Sequence, residues 1–430
     1  MKINLGFLEW DGTEFNWDLK ESSNFHGIIT GPSGSGKTYT LSKIITKLAQ
    51  VPTIERVYVF DVHGDISENV PSDLYSKVDF SEASGNGINL LEISPNKEYG
   101  GPRKKIMDVV KTINRTSSGS LGSRQVASLS RYLKGLYASK GIKIKDSSTW
   151  NKPSPTLVDL RKFLENSLTA MKISADIKSA HALNEVLSAA RRIAAAAKTE
   201  DPDIQEAELE ENKEKAKAFY KEFINSITDG SEMEAIEGMK KNVEKMVESL
   251  LDRIQILEDA GVFNGNSLSF NPAKKVYMFD LKTLTYDEKI VFIDTMTRKI
   301  HDHAISKGLI DRAREIIVID EANEIIDPND KDSIYNRVVL GMRKYGLGMI
   351  LGSQAIHHFS DDVLMNTAMK IILGVDSIFT KQVASKIGEK ENMLKYLKPK
   401  VSALAFVKSK DPSAPIGWKK IVFNKKDVKK

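Results

Sequence analysis

Gly31-Pro32-Ser33-Gly34-Ser35-Gly36-Lys37-Thr38 spells G-x-x-x-x-G-K-[ST], a pattern that functions only where a strand turns into a helix. The flanks meet that condition. Phe25-His26-Gly27-Ile28-Ile29-Thr30 reads as a short buried strand, and Leu41, Ile44, Ile45 and Leu48 follow at helical spacing. At such a junction glycines let backbone N–H groups close around phosphate oxygens, and the helix N-terminus adds partial positive charge. Lys37 is then placed to reach the terminal phosphates and Thr38 to ligate Mg²⁺ through its hydroxyl. Tyr39 follows directly and completes the expected nucleotide-binding set, residues 31–39.

A second chemical feature lies far downstream. The apolar run Ile316-Ile317-Val318-Ile319 ends in Asp320-Glu321. Asp320, at a strand tip, is suited to hold the metal shell, and Glu321 to polarise an attacking water. Paired with the phosphate loop, these carboxylates point to ATP hydrolysis, with a nucleotide-binding switch or a non-hydrolytic transferase as alternatives. The strand Met349-Ile350-Leu351-Gly352 leads to Ser353-Gln354, where Gln354 is placed to sense the γ-phosphate. Arg343 falls on a helix end or turn. Spacing alone favours a surface cation capping a helix C-terminus over a guanidinium that reaches a neighbouring subunit's nucleotide.

The rest of the chain divides around these motifs. With 430 residues, 41% of them hydrophobic, there is material for one large core or two ordinary ones. Residues 1–24 alternate apolar and polar about an Asp11-Gly12 turn and predict a β-hairpin leading into the core. Residues 25–101 and 262–410 alternate strand and helix patterns, which together with the phosphate loop predicts an α/β P-loop NTPase core with a mainly parallel sheet covered by helices. Its further strands are expected at 56–61, 78–80, 87–91, 276–280, 370–374 and 403–407, with a long helix at 286–307 and a helix at 331–342. Between the two parts, residues 102–261 lose strand patterning and predict an all-helical insertion. It contains a Ser/Gly-rich break at 116–123, a polar loop at 145–155 and an acidic run at 200–211. Basic residues gather there at Arg103, Lys104, Lys105, Lys111, Arg115, Arg124, Arg131 and Lys134, open between a charged helix face and a nucleic-acid contact. Residues 411–430 read as a basic, frayed C-terminal tail.

Composition narrows the chemistry. The absence of cysteine excludes disulfides, thiolate metal sites and a Cys nucleophile. A net charge of +5 permits phosphate-backbone binding without arguing for it. Met1-Lys2-Ile3-Asn4 lacks the apolar core of a signal peptide and no apolar run approaches the length of a membrane span, so a cytoplasmic protein without membrane insertion is expected.

The order of motifs adds to this reading. The phosphate loop, Asp61-Val62-His63-Gly64-Asp65, Ile88-Asn89-Leu90-Leu91, Ile316 through Glu321-Ala322, and Arg343-Lys344-Tyr345-Gly346-Leu347-Gly348 with Ser353-Gln354 resemble the HerA–FtsK superfamily of DNA-translocating ATPases. The resemblance spans residues 25–95 and 262–410 and is closest to the HerA branch and its relatives in conjugative secretion. It implies a RecA-like core and a homo-oligomeric ring, hexameric, with ATP and Mg²⁺ at subunit interfaces and double-stranded DNA in the central channel. It also implies Arg343 as a finger acting in trans, and a nuclease or other protein as partner. HerA proteins carry an N-terminal β-barrel ahead of the loop where residues 1–24 here read as a hairpin. The second motif has Val62 where the family pattern has proline, and His63 reads as a turn residue.

Overall fold

The computed structural model describes residues 2–81, 84–116, 121–173, 177–196, 202–228, 233–266, 268–413 and 417–428; within 172–182, 196–208 and 226–241 only the backbone is described. Its strands are β1 (Lys2–Leu8), β2 (Glu14–Asp18), β3 (Gly27–Thr30), β4 (Arg56–Asp61), β5 (Tyr75–Asp79), β6 (Val276–Asp280), β7 (Ile310–Ile319), β8 (Tyr345–Ser353), β9 (Met369–Ile372), β10 (Ser402–Val407) and β11 (Lys419–Val422). All belong to a single sheet, in the order β2-β1-β11-β10-β9-β3-β8-β7-β4-β6-β5. From β9 to β5 every pairing is parallel, whereas β9-β10-β11-β1-β2 is antiparallel throughout. The inner strands of the parallel part, such as β3, β6 and β8, are apolar on both faces, as burial under helices on each side demands, whereas the edge strand β5 is mostly polar.

The chain forms two compact units, Met1–Ser120 with Lys143–Asn151 and Ala260–Lys430, and Leu121–Ile142 with Lys152–Asp259. The first holds the sheet with helices α1 (Lys37–Gln50) and α2 (Pro102–Asn114). The second consists of α3 (Ser123–Ser139), α4 (Leu157–Ile173), α5 (Ile177–Ala196), α6 (Pro202–Thr228) and α7 (Met233–Asp259). Returning to the first, the chain adds α8 (Tyr286–Ser306), α9 (Ala322–Ile325), α10 (Ile334–Gly341) and three short helices, α11 (Asp361–Met365), α12 (Thr380–Ile387) and α13 (Glu391–Lys395). Leu41, Ile44, Ile45 and Leu48 of α1 share a core with Val57, Val59, Ile316, Val318 and Ile350 of the sheet. A cluster of rings also contributes: Phe60 stacks on Phe279 at 4.9 Å between centroids, and Phe80 meets Phe292 of α8 at 4.5 Å.

In the second unit Leu129, Leu133, Leu136 and Tyr137 of α3 are buried, as are Leu160 and Leu164 of α4 and Val247, Leu250, Ile254 and Leu257 of α7. Their spacing is the helical apolar stripe. Arg161 of α4 joins Glu258 of α7 at 2.7 Å. On α6 the acidic segment forms exposed pairs along its own helix, Glu210 with Lys213 and Glu211 with Lys215, while Glu200 lies outside the described residues. So do residues 117–120 of the Ser/Gly-rich break and Lys429 and Lys430 of the tail.

Three expectations change. Residues 87–91 are no strand: Ile88, Leu90 and Leu91 are buried, but the segment runs irregularly, with Ile88 N–H donating to the Val262 carbonyl at 2.9 Å. Residues 411–430 are more than a tail, because β11 lies inside the sheet between β1 and β10 with Ile421 and Val422 buried. Helix α2, expected to open the insertion, packs within the first unit, held there by ion pairs of Asp108 and Arg115 to α8. Among the described residues no helix is long and apolar enough to cross a membrane.

Close approach fixes how β3 sits beside β8. A Cβ at Gly348 would lie 2.3 Å from the Phe25 carbonyl oxygen, so only glycine fits there. One residue on, Met349 N–H donates to His26 Nδ1 at 3.1 Å, and His26 is 1% exposed. Burial lowers the imidazole from its ordinary 6.5 to about 3, so it stays neutral when folded. Stability from this group is complete above pH 6.5 and is lost as pH falls from there toward 3, because only the unfolded ring takes up a proton. Urea titrations should show wild type losing about 1.4 kcal/mol per pH unit below 6.5 relative to His26→Gln. Parallel pH profiles for the two proteins would contradict the assignment.

Candidate active site

Four of the sequence motifs converge on the carboxyl edge of the parallel strands, where ligands bind in open α/β sheets. β3 runs into the phosphate loop, β7 into Asp320-Glu321, β8 into Ser353-Gln354, and β4 ends on Asp61. β8 lies between β3 and β7, with Thr30 level with Ser353 and Ile319 with Leu351. Gln354 is therefore carried between the phosphate loop and the acidic pair. Strand order of this kind is invisible to motif reading.

The loop has the form of a cradle. Gly34 and Gly36 have φ of 76° and 97°, a left-handed region closed to most side chains. Helix α1 begins at Lys37, so the N–H groups of Lys37, Thr38 and Tyr39 carry no intrahelical partner and point out of the helix end. Ser35 Oγ is buried with no hydrogen-bond partner among the described residues, and Glu321 Oε2 shares that condition. A narrow anionic ligand with many acceptor oxygens suits such a ring of donors. The residues present thus fit a nucleotide phosphate chain, and the hydroxyl of Thr38 and carboxylate of Asp320 are hard oxygen donors suited to Mg²⁺.

Lys37 and Glu321, both 8% exposed, form a hydrogen-bonded ion pair, with Asp320 Oδ1 4.0 Å from the same ammonium. Glu321 adopts φ 49°, ψ 48°, a left-handed conformation that costs a non-glycine residue about 1–2 kcal/mol. Several contacts hold it there. Its N–H donates to Asp320 Oδ1 at 2.9 Å, and the single-turn helix α9 that it caps is tied to β8 by Ser353 Oγ and Asn323 Oδ1 at 3.0 Å. Ser353 Oγ also lies 2.8 Å from His358 Nδ1. At Gly352 a Cβ would come within 2.7 Å of Asp320 Oδ1, so glycine is what leaves that carboxylate its place. Burial pushes Asp320 up to about 6, partly offset by the Lys37 charge.

Asp61 orders the turn that follows β4. Its two oxygens accept from the N–H groups of Gly64 at 2.8 Å and Ile66 at 3.1 Å, shaping the loop after β4, and burial raises it to about 6. His63 is exposed in that turn. Gln354 is exposed, Thr38 half-buried, and the exposed Tyr39 ring lies under the Lys43 ammonium at 4.5 Å. Arg343 is the exception to the convergence. It occupies the turn before β8, at the amino edge of the sheet, 43% exposed and 3.4 Å from Asp311. β8 runs nine residues from there to the site, so about 30 Å separates Arg343 from the nucleotide cradle of its own chain.

Reading the sequence missed Ser353, Asn323 and His358, whose only signal was proximity to the strand tip. It also missed Lys400, at φ 62°, whose N–H donates to the carbonyl of Ser35 at 3.2 Å. No local pattern marks that residue.

Neither a family model nor a curated protein matches the chain. Solved structures do. VirB4 of Thermoanaerobacter pseudethanolicus superposes with a TM-score of 0.62 at 15% identity, covering 98% of this chain and 96% of that one. The plasmid coupling protein TrwB in complex with ADP and Mg²⁺ gives 0.55 at 10% identity over 99% and 90%. TrwB with the non-hydrolysable ATP analogue ADPNP gives 0.56 at 10% over 96% and 91%. The fold expected from the sequence, a RecA-like α/β core with a mainly parallel sheet covered by helices, is the fold observed.

The buried pair at the centre of the site yields a direct test. Removing Lys37 leaves Glu321 as an uncompensated buried charge, whereas removing both charges does not. A double-mutant cycle of Lys37→Met and Glu321→Gln, read by urea unfolding without nucleotide, should give a coupling of about 2–3 kcal/mol. A coupling near zero would show that the pair does not form in the free protein.

Proposed function

We propose that this protein is a Mg²⁺-dependent ATPase that works as a ring-shaped motor on double-stranded DNA. The observation that carries the hydrolytic part is the meeting, at one sheet edge, of the loop cradle, Lys37, and the carboxylates of Asp320 and Glu321. Residues 31–39 bind the nucleotide, Lys37 holding its terminal phosphates. Thr38 and Asp320 hold Mg²⁺, which when bound offsets the phosphate charge. Glu321, released from Lys37 once phosphate oxygens take the ammonium, orients and polarises the attacking water. Gln354, between the two motifs, senses the γ-phosphate.

The ring follows from Arg343. A guanidinium at the far edge of the sheet cannot serve its own cradle, but a head-to-tail neighbour can present it to the next one. Such a heterologous contact closes into a ring when its rotation allows, and a hexamer is the closure proposed. DNA in the channel would be gripped through its phosphates, with strong dependence on salt.

A second reading within the same architecture is a motor serving conjugation, moving protein or DNA. It is favoured by the near-complete coverage of TrwB, a bacterial conjugative and plasmid coupling protein. Capture of partners by the full chain separates the two readings.

ATP hydrolysis measured with and without linear double-stranded DNA should rise with DNA and lose that rise as salt increases. Glu321→Gln should lower kcat by about 10²-fold or more. Arg343→Ala should lower it by about 10³-fold while ATP binding persists, and mixing the two inactive variants should restore part of the activity. Turnover indifferent to DNA and to Arg343→Ala would overturn the ring motor.

A further inference from the structure

We infer that Arg115 is a positioning residue for Glu321, acting through helix α9; the inference rests on the hydrolytic role proposed for Glu321. Arg115 follows the last residue of α2, in a basic run that reads in sequence as a surface face or a nucleic-acid contact. The structure uses it differently. Its NH1 donates to Asp294 Oδ1 of α8 at 2.8 Å, and its NH2 donates to the carbonyl of Ile325, the last residue of α9.

Asp294 is fully buried and is satisfied by three donors: Arg115, Thr112 Oγ1 at 2.6 Å and Arg298 Nε at 2.8 Å. Arg298 in turn bonds Asp108 of α2 at 2.7 Å. Two arginines and two aspartates thus form a neutral network joining α2 to α8. A buried network of this kind is a poor source of stability compared with apolar packing, so what it supplies is placement. The group it places besides its own members is α9.

That helix is one turn long and begins at the left-handed Glu321. A turn so short has little intrinsic stability, and its cap residue holds an unfavourable backbone conformation. Its orientation depends on external ties at both ends. Asn323 meets Ser353 of the sensor strand on one side, and Arg115 takes the Ile325 carbonyl on the other. Lysine at 115 keeps a charge for Asp294 but has no planar fork to reach both acceptors at once.

The test compares Arg115→Lys with Thr112→Val in the full chain. Thr112→Val removes a donor from Asp294 without touching α9, and so reports the effect of weakening the network alone. Arg115→Lys should lower kcat roughly 10- to 100-fold with KM for ATP essentially unchanged. Amide hydrogen exchange over residues 322–326, measured without nucleotide, should speed up by a comparable factor. Thr112→Val should lower the unfolding midpoint yet leave kcat and the exchange of 322–326 at wild-type values. Where the lysine variant does not fold, Arg115→Gln, which retains one donor, takes its place with the same expectation. Wild-type exchange and kcat in the Arg115 variant would overturn the inference, and so would an equal loss in Thr112→Val. If the wild type itself hydrolyses no ATP, the proposed function fails, while exchange over 322–326 still decides whether Arg115 orders α9.

Discussion

Lys37 and Glu321 are both nearly sealed from water, and each is tolerable there because of the other. An isolated ammonium or carboxylate at that depth would cost several kcal/mol. The pair links the start of α1 to the end of β7 across the strand between them, and the surrounding geometry serves to keep it. Gly352 leaves room for Asp320, Ser353 ties α9, and the left-handed backbone of Glu321 turns its carboxylate toward the loop. In the free protein Lys37 has an internal anion as partner. In the proposed mechanism a polyphosphate, with stronger and more numerous oxygens, takes Lys37 and releases Glu321 in one event, so that the residue proposed for hydrolysis is freed only when there is something to hydrolyse.

Much of this was legible in the chain because it is local. The phosphate loop specifies its own turn, and the apolar runs at 316–319 and 349–352 mark strands by composition alone. The same logic placed α8 and the helical nature of the second unit. Motif reading also brought Lys37, Asp320 and Glu321 together without knowledge of the sheet.

What was not legible depends on pairing at a distance. β11 offers two apolar residues among lysines, and only the edge left by β10 and β1 makes it a strand. Residues 88–91 carry three buried apolar side chains, as a strand would, yet the bond from Ile88 N–H to the Val262 carbonyl does not extend into a ladder and the segment runs irregularly. Arg115 looks like its basic neighbours, but its partner Asp294 is 179 positions away. Lys400 reaches the loop through backbone atoms, which no side-chain pattern encodes. Arg343 was placed correctly at a turn, while its distance from its own cradle emerges only when β8 is seen to run the full depth of the sheet.

The central claim is that the Lys37–Glu321 pair is the resting form of an ATP site. A crystal structure of the protein with a non-hydrolysable ATP analogue and Mg²⁺ tests it most directly. The account predicts Lys37 on the terminal phosphates, Thr38 and Asp320 at the metal, and Glu321 parted from Lys37 and facing the γ-phosphate. Nucleotide bound elsewhere, or bound in the loop with the Lys37–Glu321 pair intact, would contradict it.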